Sequence, residues 1–257
     1  MAILSLPLTA RAEALKFGVL NQQSPIQTAE RWNPILRYLS SKTGIPLKLV
    51  MGPTVEATDT LMGQEAFDLI YTNHNFQTEY DGKYRVLARW AGKPVHGVLA
   101  VPEDSPLQSL RDLAGQLVAF PSADAFLAFA VPQVALKQAG IEVNALYAGN
   151  QEGAMAQLKA GQVAAAALNS RFLTSYAQRE KLRYRLLYQS EPYQELPVLI
   201  HPRVPIPQAE ALRHALLGMA KDPAAAPALA AARTAGFEAA MEADYDNVRR
   251  LYKAIGK

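Results

Sequence analysis

Cysteine is absent from all 257 residues of the chain. Its absence excludes disulfide bonds, catalysis by a thiolate and metal sites built on cysteine ligands. We therefore expect packing and noncovalent contacts to hold the fold together.

Charge is sparse as well. Charged residues make up 19% of the chain and the formal net charge is only +3. No run of lysine or arginine occurs, and the pair Arg249-Arg250 is typical of a helix surface, so the composition argues against a nucleic-acid partner. Half of the residues are hydrophobic, which indicates a globular protein, yet no stretch approaches the ~20 apolar residues of a membrane span.

The sequence motifs of common enzymes are also missing. There is no G-x-S-x-G, no H-E-x-x-H and no glycine-rich nucleotide loop. The histidines His74, His96, His201 and His214 do not have the spacing of metal ligands. We predict no catalytic residue, no metal and no cofactor. An enzyme on the same fold is a secondary hypothesis, and the effector domain of a transcription regulator is a third.

The first residues have the character of a targeting segment. Residues 2–8 form a short apolar run, and Ala10-Arg11-Ala12 fits the small-x-small pattern before a signal cleavage site. The basic start of a signal peptide is missing, so we interpret residues 1–12 as the remnant of one; a frayed terminus is the alternative. Secretion to the periplasm is the expected localisation.

The first folded segment predicts a strand, a polar loop and a helix. Residues 15–20 are apolar, residues 21–25 are polar, and a helical apolar pattern with Trp32 and Leu39 ends at Thr43-Gly44. In open α/β sheets, ligands bind at the carboxyl ends of strands. The loop has amides and a hydroxyl but no charge, so it is suited to hydrogen-bonding a small molecule.

The same order of elements repeats in the middle of the chain. The strand that ends at Thr72-Asn73 resembles the one that ends at Leu168-Asn169, and each follows a helix that stops at a glycine. The second strand is predicted from a run of small apolar residues, 163–168, and we expect a polar loop, Asn169-Ser170-Arg171, after it. The predicted fold class is α/β, with two lobes that each contain a mixed, mostly parallel sheet flanked by helices. Lobe 1 comprises residues 13–101 plus 202–257 and lobe 2 residues 102–201, so two chain crossings form a hinge that closes on ligand.

Several motifs follow one another in the order of a known family. They are Gly18-Val19 with Pro25, then Trp32, Pro34, Tyr38-Leu39 and Thr43-Gly44, then Asp68-Leu69-Ile70-Tyr71, the turn from Ser109 to Gly115, Pro132, and Asp244-Tyr245. Together they resemble the periplasmic solute-binding proteins of the phosphate/phosphonate ABC transporter type, which have the type II binding-protein fold. The resemblance covers nearly the whole chain after residue 12. It implies a non-catalytic protein that delivers a small polar solute to a membrane permease.

Two departures from the family pattern concern the ligand. Members that bind phosphonates carry Ser-Thr-Ser-Gly where this chain has Ala125-Phe126-Leu127-Ala128, and often an acidic residue where it has Asn169. Both changes argue against an aminoalkylphosphonate. A phosphorus oxyanion, a sulfur oxyanion and a small neutral solute all remain open. A ligand-sensing subunit for a membrane sensor kinase is an alternative role with the same site.

The predicted ligand-binding residues follow the strand ends of both lobes. They are Asn21, Gln22, Gln23, Tyr71, Asn73, His74, Asn75, Ser122, Asp124, Phe126, Asn150, Gln151, Asn169, Arg171 and Tyr193.

Four of these residues have a second interpretation. Tyr71 is equally compatible with the core, and His74 with a structural role. Asp124 fits a helix N-cap better than a ligand contact. Arg171 either binds an oxyanion through two N–H groups of its guanidinium or caps the helix that follows Asn169.

Overall fold

The computed structural model describes residues 13–20 and 24–256. Its strands are β1 (Leu15–Val19), β2 (Leu47–Val50), β3 (Leu69–Tyr71), β4 (Arg85–Trp90), β5 (Gly97–Pro102), β6 (Leu117–Phe120), β7 (Asn144–Tyr147), β8 (Ala165–Asn169), β9 (Tyr184–Gln189), β10 (Pro197–Ile200) and β11 (Phe237–Glu238). Its α-helices are α1 (Pro25–Thr43), α2 (Val55–Gly63), α3 (Val131–Gln138), α4 (Gln151–Lys159), α5 (Ser170–Glu180), α6 (Ile206–Gly218), α7 (Ala226–Ala232) and α8 (Asp246–Ala254). The predicted signal remnant, residues 1–12, and the predicted site residues Asn21, Gln22 and Gln23 lie outside the described residues.

Packing divides the chain into two compact units. The first unit comprises the described residues up to Thr72, together with Gly82–Ala91 and Pro197–Ala240. The second comprises Asn73–Asp81, Gly92–Leu196 and the described residues from Met241 onward. The lobe boundaries predicted above describe the two bodies that would move when the hinge closes on ligand. Those boundaries stay a prediction.

The first unit is built on a mixed sheet with strand order β11-β4-β10-β3-β1-β2. β1 runs parallel to both β2 and β3, whereas β10 is antiparallel to β3 and β4. The apolar stripe of α1 is buried, with Trp32 at its centre, where its ring lies 5.4 Å from Phe17 and 4.7 Å from Tyr71. Gly44 ends α1 as predicted, with a left-handed φ of 72° that favours glycine.

The second unit has a mixed sheet with strand order β7-β6-β8-β5-β9. β6 is parallel to β7 and β8, and β5 is antiparallel to β8 and β9. Both faces of the sheet are covered: Ala166 and Leu168 pack in one core cluster, and Ala165 and Ala167 in the other. A continuous run of small apolar residues is what a strand buried on both faces requires.

Two local predictions about the second unit are wrong. Asp124 does not cap a helix: Ala125 occupies the cap position without a side-chain bond, and a π-helical turn, Phe126–Ala130, leads into α3. Residues 169–171 do not form a loop either, because Asn169 ends β8 and α5 begins at once. The bounds of α5 and β9 were not predicted.

Candidate functional site

Polar side chains follow three neighbouring strands of the second unit. Because β6, β7 and β8 are parallel, their carboxyl ends meet at one edge of the sheet. Ser122 follows β6, Asn150 follows β7, and Asn169 ends β8. We call these three residues the solute edge. In open α/β sheets, this is the edge where ligands bind.

Two asparagines of the solute edge are fixed in orientation by helix capping. The Oδ1 of Asn150 accepts the N–H of Gly153 at 2.7 Å, and the Oδ1 of Asn169 accepts the N–H of Arg171 at 2.8 Å. Since a backbone N–H requires an acceptor, each side-chain amide is oriented with oxygen toward its helix. Neither Nδ2 has a hydrogen-bond partner within the part of the chain that the structure describes. Each cap therefore presents a spare donor.

The electrostatic setting of this edge favours negative charge. α4 and α5 both begin there, and helix N-termini carry positive partial charge. Gln151 ties the two helix starts together, since its Oε1 accepts the N–H of Asn169 at 2.7 Å. The edge is therefore rich in donors and suited to ligand oxygens.

Arg171 lies in the first turn of α5, but its guanidinium is already engaged. Its Nη2 donates to the carbonyl of Lys93 at 3.0 Å and forms an ion pair with Glu195. The Glu195 side chain is only 7% exposed, whereas that of Arg171 is 45% exposed. The sequence left open whether Arg171 binds an oxyanion or caps the helix after Asn169. The ion pair with Glu195 is a structural contact that the local sequence did not reveal.

His74 is buried in an aromatic cluster of the second unit. Its ring lies 4.8 Å from Phe126 and 6.1 Å from Tyr245, and Nε2 lies 2.8 Å from the carbonyl of Gln194. A carbonyl only accepts, so Nε2 carries the hydrogen and Nδ1 is left as an acceptor, which has no partner among the described residues. Burial lowers the pKa of His74 to about 4, against the weaker opposing effect of the Gln194 bond. The imidazole is therefore neutral near pH 7.

Other predicted site residues belong to the same surroundings or to the other unit. Phe126 packs against Tyr193, with ring centroids 5.0 Å apart. Asn75 is buried, and its N–H bonds to the carbonyl of Asn73 at 2.8 Å. Tyr71 lies in the core of the first unit, 5.2 Å from the Trp90 ring.

Asp124 is exposed beside the solute edge. Glu195 was not among the predicted site residues. The feature that could have pointed to it is an acidic residue placed directly before the apolar strand β10.

The described residues hold no group of three or more His, Asp or Glu side chains that would bind a metal ion. Among the described helices, none is both long and apolar enough to cross a bilayer.

Two mixed sheets flanked by helices, one with a donor-rich carboxyl edge, are the architecture expected of the type II periplasmic binding proteins that the sequence resembles.

Comparisons with known proteins agree with that class. The family described as "ABC transporter, phosphonate, periplasmic substrate-binding protein" matches residues 17–245. The chain therefore belongs to this family, and its function is that of a periplasmic substrate-binding component of an ABC transporter. The match favours this role over the sensor and enzyme hypotheses, and no curated protein matches the sequence.

Solved structures with the same fold are distant in sequence. XAC2383 from Xanthomonas citri, bound to chloride ion, is 19% identical with a TM-score of 0.81, covering 95% of this chain and 97% of that one. PhnD1 from Prochlorococcus marinus, in complex with methylphosphonate, is 18% identical with a TM-score of 0.79, covering 95% and 98%. PA3383 from Pseudomonas aeruginosa, a binding protein component of an ABC phosphonate transporter, is 17% identical with a TM-score of 0.75, covering 93% and 85%. At these identities, the likeness shows the fold alone.

Proposed function

We propose that the second unit binds the transported solute at the solute edge, through the Nδ2 donors of Asn150 and Asn169 and the hydroxyl of Ser122. The observation that carries this proposal is the capping geometry of the two asparagines, which holds both oxygens inward and leaves both donors spare. Side chains fixed in this way lose little entropy when a ligand arrives.

The donors and the two helix N-termini favour a ligand that presents oxygen acceptors. A small oxyanion satisfies both features, because it accepts several hydrogen bonds and is attracted to the positive helix ends. Methylphosphonate, which is bound by the similar PhnD1, is the natural first probe. Within the same proposal, residues 1–12 are the remnant of a secretion signal, and an ABC permease receives the solute.

The sharpest test replaces Asn169 by Asp. An aspartate retains the capping oxygen, and its charge suits a helix N-terminus, so α5 should stay intact. It removes the spare donor and places a negative charge where the solute would bind. Loss of a hydrogen bond to a charged ligand costs about 1.5–3 kcal/mol, so the affinity for methylphosphonate, measured by calorimetry, should fall at least roughly tenfold.

Asn144→Asp is the matched control. Asn144 is the first residue of β7, and its Nδ2 donates to the carbonyl of Gly115 at 2.8 Å. It therefore lies at the amino ends of the parallel strands, at the other end of the sheet from the solute edge. This variant should bind methylphosphonate as the unmodified protein does. Equal affinities of the two variants would contradict the placement of the site. If the unmodified protein responded to none of methylphosphonate, phosphate, sulfate or small neutral solutes, the ligand class would be wrong.

A further inference from the structure

The chain passes from the second unit to the first through a segment that is held along its length. Residues 192–195, which we call the exit connector, precede that passage. Each of its four residues is hydrogen-bonded through its backbone. Asn247 Nδ2 donates to the Pro192 carbonyl at 3.2 Å, and Tyr193 and Val95 exchange two backbone bonds of 2.8 Å. His74 Nε2 donates to the Gln194 carbonyl at 2.8 Å, and the Tyr245 hydroxyl donates to the Glu195 carbonyl at 2.7 Å. The exit connector thus has a defined conformation within the second unit.

A second segment, residues 92–95, enters the second unit from the first, and we call it the entry connector. Arg171 contacts both connectors through its guanidinium, at the Lys93 carbonyl and at the Glu195 carboxylate. Gly92 makes room for this contact, because a Cβ there would lie 2.8 Å from Arg171 Nη2. The guanidinium therefore contacts both connectors.

The ion pair is energetically demanding because Glu195 is buried. Removing one partner of a buried ion pair strands the other charge in a poorly solvated place. Arg171 supplies a positive charge beside the buried carboxylate of Glu195.

The same residue is bonded to the solute edge. The backbone N–H of Arg171 is the group that Asn169 Oδ1 accepts. Arg171 therefore links the proposed solute donor on one side to both connectors on the other, within one turn of α5.

We infer that Arg171 is a positioning residue: it locks the entry and exit connectors together and couples their conformation to the solute edge. It acts through Asn169 and Glu195 and does not itself hold the solute. The coupling rests on the proposed function, whereas the lock does not.

The lock is tested in the unliganded full chain by hydrogen exchange at the amides of Val95 and Tyr193. Arg171→Met should speed exchange at both amides at least roughly tenfold, equivalent to about 1.4 kcal/mol. Arg171→Lys, which retains a cation for Glu195, should recover part of the protection. Arg179→Met is the matched control, because Arg179 lies on the same helix and pairs at the surface with Glu152 and Glu180. Unchanged protection in Arg171→Met, or equal loss in Arg179→Met, would overturn the inference.

The coupling is tested by adding methylphosphonate. In the unmodified protein, and in Arg179→Met, methylphosphonate should slow exchange at Val95 and Tyr193. In Arg171→Met this slowing should be lost or reduced at saturating ligand. Undiminished slowing would overturn the coupling. If methylphosphonate and phosphate fail to bind the unmodified protein, the proposed function fails, and the unliganded experiment still decides whether the lock exists.

Discussion

Mild acid should destabilise this protein through His74. The folded state holds the imidazole neutral, with a pKa near 4 because of burial, whereas an unfolded chain restores the ordinary value of 6.5. Between these values the unfolded state binds a proton that the folded state does not. Stability is therefore fully present above about pH 6.5 and is lost progressively as the pH falls toward 4.

The size of the effect follows from the two pKa values. At about 1.36 kcal/mol per pH unit, the gap from 6.5 to about 4 corresponds to a full contribution of roughly 3.4 kcal/mol. Linkage gives a loss of about 1.8 kcal/mol between pH 7 and pH 5. The neighbouring rings of Phe126 and Tyr245 provide no carboxylate that would stabilise the imidazolium and reduce this loss.

The assay is urea unfolding of the unmodified protein and of His74→Gln at several pH values from 7 to 5. Glutamine retains an N–H donor for the Gln194 carbonyl and does not titrate, so its pH dependence should be flatter by about 1.8 kcal/mol. His214→Gln, at an exposed position of α6, should retain the steep profile. Identical pH profiles for the unmodified protein and His74→Gln would refute the reasoning, because they would mean that the imidazole titrates alike in both states.

Two further substitutions test the packing around the solute edge. Gly97→Ala should unfold at markedly lower urea, because a Cβ at Gly97 would lie 2.4 Å from the Leu127 carbonyl of the π-helical turn; an unchanged midpoint would show that this turn yields easily. Phe126→Ala should cost about 3–5 kcal/mol in unfolding free energy, since Phe126 is 1% exposed; a loss below ~1 kcal/mol would mean that the aromatic cluster collapses into the cavity.

Much of the fold was predictable from local pattern. α1 was found from its apolar stripe and its stop at Gly44, and β8 from a run of small apolar residues. The positions of Asn150, after β7, and Asn169, at the end of β8, were also predictable from the strand pattern. That a ligand binds at these strand ends stays a prediction. These features depend on neighbouring residues alone, so periodicity and turn chemistry sufficed.

The errors arose where tertiary contacts override local preference. Asp124 has the chemistry of an N-cap, but the apolar residues after it begin with a π-helical turn whose Ala130 N–H bonds to Ala125, which displaces the helix start. The polar residues Asn169-Ser170-Arg171 favour a loop in sequence, but an asparagine N-cap also starts a helix directly, and here Asn169 caps α5.

The contacts that define the connectors were beyond local reasoning. His74 meets Gln194 across 120 residues of sequence, and Arg171 meets a glutamate that lies in a different segment. Burial of Glu195 and His74 depends on the assembled second unit, so no window of the sequence reveals it.

The most direct measurement is the nuclear magnetic resonance spectrum of the side-chain amides during titration with methylphosphonate. The account predicts that the Nδ2 resonances of Asn150 and Asn169 shift to saturation, while that of Asn144 stays in place. The resonance that is missing from the spectrum of the Asn169→Asp variant is the one that belongs to Asn169 Nδ2. Saturable binding that shifts neither the Asn150 nor the Asn169 resonance would contradict the central claim that these two donors hold the solute.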